Sequence, residues 1–146
     1  ALNGFSHRTD VEISSFSAND FLEELLVFLK RYARLKEIDI ATDIPEEHIT
    51  LSTDPSLLQF LVTRIFFVSL EVQNNIDDSG ELLRLSLQEQ EHTVNITLGR
   101  KNGPHLEIAG LDIDESEQLA LDKLHGQITI KHEDGFLGVT LSIPRL

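Results

Sequence analysis

The 146 residues predict a two-layer α/β (α+β) sandwich, with a mixed, largely antiparallel sheet and its helices on one face. Three observations carry that expectation. Residues 17–36 and 54–71 both show helical apolar periodicity, but only the first keeps a clean polar face. Alternating stretches pair off across short polar links at 88–92 and 132–135, which reads as two hairpins. The element order is strand, helix, strand, strand, helix, hairpin, short helix, hairpin, which does not alternate regularly enough for a parallel doubly wound sheet.

Residues 1–10, ALNGFSHRTD, lack periodicity and read as a linker or flexible N-terminus, leaving 11–146 as one domain. Val11, Ile13 and Ser15 alternate with polar neighbours as a short strand closed by Phe16. Ser17 with Asp20 forms a variant of the capping box and opens a helix. Its broad stripe takes in Phe21, Leu22, Leu25, Leu26, Phe28, Leu29, Tyr32, Ala33 and Leu35, so it should lie on a sheet. Ile38 and Ile40 point inward from a strand at 37–43, Ile44-Pro45 breaks it, and Ile49 and Leu51 mark another.

The firmest element is 54–71, DPSLLQFLVTRIFFVSLE. Asp54 suits the N-cap, and Pro55 suits the first helical position, where its missing N–H costs nothing. Leu57, Leu58, Leu61, Val62, Ile65, Phe66, Val68 and Leu70 recur at spacings of three and four, while Phe60 and Phe67 extend the apolar surface. Such a helix should be buried on more than one side, and it is too short to span a bilayer. Residues 74–80 are loop chemistry. Leu83, Leu85 and Leu87 alternate, as do Val94, Ile96 and Leu98. Lys101 to Pro104 breaks the chain, 105–109 offers a short strand, and the acidic run 112–117 starts a helix with Leu119, Ala120 and Leu124 inward and Gly126 as its C-cap. Residues 127–131 and 136–143 close the chain as a hairpin.

Twelve basic against twenty-five acidic residues give a net charge of −13. That balance argues against nucleic acid and against contact with an anionic membrane. No basic cluster stands out to offset it. Without cysteine there are no disulfides and no thiol chemistry. No signal peptide or long apolar run is present, so a cytoplasmic location is expected. The first residue is alanine and the sequence has no methionine, which suggests a piece of a longer protein.

From Val11 to Leu146 the sequence resembles the ATP-binding catalytic domain of sensor histidine kinases, in the superfamily shared with gyrase and the Hsp-ninety chaperones. ITLSTDPSLLQFLV is similar to that family's strand, Asp-Pro and long helix, and LALDKLHGQITIKHEDGFLGVTLSI to its final helix, cap and closing hairpin. The resemblance implies a Bergerat-type, histidine-kinase ATPase-like fold. It also implies where the chemistry should sit, and there the residues depart from the pattern. The asparagines that hold magnesium against the phosphates fall at Arg64 and Val68; valine has no ligand atom and arginine repels a cation. The Asp-x-Gly-x-Gly turn that reads adenine aligns with Lys101, Asn102, Gly103, Pro104 and His105. Lysine cannot accept the adenine amino hydrogen bond, and His105 adds a side chain where backbone should approach the base. The family's long lid is reduced to 110–116, GLDIDES.

Other motifs carry less. Arg64 reads more readily as a cation reaching solvent than as a phosphate anchor. His7, in FSHRT, faintly echoes the phosphorylated box of these kinases, but a strand follows where a helical hairpin belongs. The six histidines show no paired helical spacing for a metal, and no Gly-x-Ser-x-Gly elbow is present.

The resemblance with these losses implies a degenerate ATPase-like domain of two-component signalling. It would bind no cofactor and catalyse nothing as an isolated piece, and it would act by binding a response regulator or another signalling protein. Homodimerisation through flanking sequence stays open. Two alternatives remain. One is a divergent histidine kinase domain that still binds ATP and magnesium, through Asp112 or Asp114; the other is an unrelated α/β binding module.

Overall fold

A computed structural model describes residues 12–74, 82–101, 113–133 and 136–145. The elements are β1 (Ser14–Ser17), α1 (Ala18–Leu35), β2 (Asp39–Asp43), β3 (Thr50–Thr53), α2 (Pro55–Asn74), β4 (Leu82–Glu89), β5 (Thr93–Lys101), α3 (Glu115–Leu124), β6 (Gln127–Glu133) and β7 (Phe136–Pro144). The expected order is found. The strand expected at 105–109 lies outside the described residues.

Five strands form one mixed sheet in the order β2-β4-β5-β7-β6. β2 runs parallel to β4, and every other pairing in it is antiparallel. The register builds rows of apolar side chains across strands: Leu87, Ile96, Leu141 and Ile128 in one, Leu85, Leu98 and Val139 in the next. Because side chains alternate along a strand, these rows share one face. Most of their members are buried, in a cluster with Leu22 and Leu29 of α1, Leu58, Leu61, Val62 and Phe66 of α2, and Ala120, Leu121 and Leu124 of α3. The result is the α/β sandwich that the pattern predicts. No helix among the described residues is long and apolar enough to cross a membrane.

β1 and β3 stand apart from this sheet as an antiparallel pair, with Ser14 opposite Thr53 and Ser17 opposite Thr50. The strand starts later than its alternation predicts, and Ile13 is exposed rather than inward. β1 ends as the cap of α1, where the Ser17 hydroxyl accepts the Asp20 amide at 3.2 Å. Behind it sits Asn19, a residue with no sequence signal. Its side-chain amide donates to Pro45 O at 2.7 Å and Glu47 O at 3.1 Å, and its Oδ1 accepts the Ile49 amide at 2.8 Å. One buried amide thus ties the start of α1 to the 45–49 loop.

The apolar stripe of α1 is narrower than predicted. Phe28, Tyr32 and Leu35 are exposed, as is Val27 on the far side. Phe28 and Tyr32 instead form an aromatic chain along the helix surface, and Tyr32 meets Phe67 of α2 edge-on at 5.1 Å. α2 follows its predicted start and runs a turn beyond Glu71. It is buried chiefly on one side, since Phe60 is exposed and Phe67 and Val68 are half-buried.

The end of α3 also corrects the sequence reading. The residue in the left-handed conformation is His125, with φ of 54°, and not Gly126. Gly126 is needed for space: a Cβ there would stand 3.1 Å from Ile143 Cδ1 and 3.3 Å from the Ser142 carbonyl. Its amide closes the helix on Leu121 O at 2.9 Å.

Candidate functional site

The positions that the sequence marks fall on α2 and at the end of β5. α2 is fixed at its origin by Asp54, buried at its cap. Oδ1 accepts the amides of Ser56 (3.0 Å) and Leu57 (3.2 Å), and Oδ2 accepts the Glu12 amide at 3.0 Å. That carboxylate answers the unpaired amides and positive end of the helix and anchors the segment before β1. Two to three turns on, Arg64 points to the outer surface and Val68, one turn later, is half-buried. Neither side chain offers an oxygen to a hard cation, so this pair does not fit a magnesium ion.

Arg64 does not simply reach into solvent. Its Nη2 donates to Asp114 Oδ2 at 3.3 Å and lies 3.6 Å from Glu117 Oε1. These carboxylates open α3 with a reciprocal capping box. Asp114 Oδ1 accepts the Glu117 amide at 2.8 Å, and Glu117 Oε1 accepts the Asp114 amide at 3.2 Å. The amide hydrogen bond from Glu117 is the main reason that the Asp114 carboxyl titrates below its ordinary value. Partial desolvation works the other way, and the Glu117 side chain, the Arg64 charge and the Ser116 amide add to the lowering. Asp114 and Arg64 are each about half exposed, whereas Glu117 is buried.

Sequence reasoning named Arg64 and Asp114 separately and missed that they meet. In the sequence Glu117 reads as one more residue of an acidic run. The signal was present, since Asp-Glu-Ser-Glu at 114–117 has the capping-box spacing ahead of Ala120 and Leu121.

Lys101 ends β5, opposite Phe136 of β7. Asn102, Gly103 and His105 lie outside the described residues, as does Asp112. Beside Arg64, the outer face of α2 carries an open hollow of about 480 Å³ lined by Ser56, Gln59, Phe60, Thr63, Arg64 and Phe67. Its single charge is the guanidinium already engaged with α3. Among the described residues, no three His, Asp or Glu side chains gather where they could hold a metal ion.

No family model matches the chain, and no curated protein matches it. Solved structures do. The nucleotide-free catalytic domain of the histidine kinase ThkA aligns at a TM-score of 0.70 and 14% identity, over 92% of this chain and 96% of that one. The Acinetobacter baumannii histidine kinase AdeS aligns at 0.73 and 11% identity, over 99% of this chain and 80% of that one. ThkA in complex with the response regulator protein TrrA aligns at 0.69 and 15% identity, over 99% of this chain and 46% of that one. At such identities the likeness is one of fold: the chain has the α/β fold of histidine kinase catalytic domains.

Proposed function

We propose that this domain is a histidine-kinase ATPase-like module that has given up nucleotide binding and serves two-component signalling by binding another protein. One observation carries the reading. Where the resemblance places the magnesium-binding asparagines, α2 presents Arg64 and Val68, and the arginine is tied to the acidic N-terminus of α3. A helix N-terminus attracts phosphate through its free amides and its dipole. At α3 the Asp114 carboxylate accepts the Glu117 amide, and Arg64 balances the charge. A phosphate arriving there would meet two carboxylates and would have to displace one of them. Lys101 in the adenine-reading position supports the same conclusion from the other end of the pocket.

A response regulator is the partner that the fold neighbours favour, because ThkA has been solved with one. The role proposed for this chain is docking. It extends to phosphotransfer only where other sequence supplies the phosphoacceptor histidine hairpin.

The test is a thermal melt with and without millimolar ATP and magnesium, repeated with ADP. A ligand present at a hundredfold its dissociation constant adds about 2.7 kcal/mol to a native state that alone binds it, a rise of several degrees for a domain of this size. The expected outcome is no shift with either nucleotide. A magnesium-dependent rise would overturn the proposal and establish the ATP-binding alternative.

A further inference from the structure

The solvent face of α1 sorts its charges in a way that its own fold leaves unanswered. Asp20, Glu23 and Glu24 occupy the N-terminal half; Lys30, Arg31 and Arg34 occupy the C-terminal half; all six are exposed. With Lys36, they make 30–36 the basic cluster that composition alone did not single out. At 100° per residue the six fall within an arc of about 120°, with Val27 at its middle. Val27 is 67% exposed, and Phe28 and Leu35, exposed by 47% and 77%, border the arc on one side.

Within the helix this pattern is unfavourable. Neighbours three or four apart are all like-charged: Asp20 with Glu23 and Glu24, and Arg34 with Lys30 and Arg31. The helix dipole explains Asp20 in the first turn and Arg34 in the last, but its effect fades beyond those turns, and Glu23, Glu24, Lys30 and Arg31 lie between them. Nor do other elements answer these charges. Asp20 has His48 at 3.8 Å, but Glu23, Glu24, Lys30, Arg31 and Arg34 enter no ion pair among the described residues.

We infer that this face pairs with a second copy of the chain, antiparallel, about a two-fold axis through Val27. In that arrangement Val27 meets Val27 of the other copy. Asp20 then falls opposite Arg34, Glu23 opposite Arg31, and Glu24 opposite Lys30, and the two-fold axis repeats each pair. A parallel pairing would oppose like charges at every position. The face is also neutral, which lets two chains of charge −13 approach there. An isologous contact of this kind requires a surface complementary to itself, and few charge patterns meet that condition. A single helix pair lies at the small end of specific interfaces, so the dissociation constant is expected at roughly micromolar or weaker, rising with salt.

Sedimentation equilibrium of the chain, with charge-swapped variants, tests this. The wild type is expected to dimerise at tens to hundreds of micromolar and to dissociate in high salt. The double variants E23K/E24K and K30E/R31E should each weaken self-association at least about tenfold, because the Glu23–Arg31 and Glu24–Lys30 pairs become like-charged on both sides of the axis and only Asp20–Arg34 keeps its attraction. Mixed together, the two should form a heterodimer, since each restores the other's complement. That rescue cannot arise from misfolding, and unchanged circular dichroism of each variant verifies the fold. A wild type that stays monomeric at these concentrations, either double variant dimerising undiminished on its own, or a mixture that fails to associate would each overturn the inference.

Discussion

The Arg64 guanidinium and the Asp114 carboxylate meet 3.3 Å apart, fifty positions apart in sequence, and join the middle of α2 to the first turn of α3. The pair is half exposed, so solvent screens it and its own contribution is small. Arg64→Ala should therefore cost less than about 1 kcal/mol. Asp114→Ala should lower the melting temperature more, because it also releases the Glu117 amide. A double-mutant cycle of the two by chemical denaturation should show favourable coupling, and strict additivity would mean that the contact has no energetic weight.

The same carboxylate predicts a pH dependence. Its folded-state pKa lies below the ordinary carboxylate value of 3.8. A depressed pKa contributes stability that is full above the unfolded-state value and is lost as pH falls through the folded one. Asp114→Asn keeps a side chain able to cap but removes the titration. Wild type should outlast this variant in melts at neutral pH, and the gap should close as the pH falls below about 4. A gap independent of pH would refute the assignment.

Asn19 is 3% exposed and makes three hydrogen bonds to the 45–49 loop. Asn19→Ala strands buried backbone groups, and we expect a loss of about 2–4 kcal/mol. Amide exchange should accelerate at Ile49 beyond the global change. Nothing in the sequence marked this residue, because its partners are backbone atoms that only the fold brings near.

At Gly126 an added methyl meets Ile143, so Gly126→Ala should cost about 1–3 kcal/mol. Ile143→Val removes the Cδ1 atom in question, and the double variant should recover part of the loss. At His125 the problem is φ, and His125→Gly should be neutral or stabilising. If Gly126→Ala proved harmless while His125→Gly destabilised, the roles of the two residues would be reversed.

Glu37 holds a φ of 58° after α1, where its amide donates to Arg34 O at 3.1 Å. Glu37→Gly relieves that conformation and should raise stability by up to about 1 kcal/mol, read as a higher denaturation midpoint at unchanged slope. A lower midpoint would show that Glu37 makes a contribution beyond its backbone.

The sequence by itself determined the elements and their sidedness. Periodicity is a local property: Leu58, Leu61, Val62, Ile65 and Phe66 must share a helix face wherever that helix lies, and Leu85 and Leu87 must share a strand face. Caps are equally local, which is why Ser17 and Asp54 were placed correctly from their neighbours alone. Tertiary structure decided what depends on distant atoms. It withdrew β1 and β3 from the main sheet, left Phe28, Tyr32 and Leu35 outside a core already filled, and gave Arg64 its acidic partners on α3. It also reassigned Gly126 from a backbone role to a spatial one, because the side chain that crowds it comes from β7. Hydrophobic pattern fixes which face turns inward; which residues then meet across the interior is settled only when the elements pack.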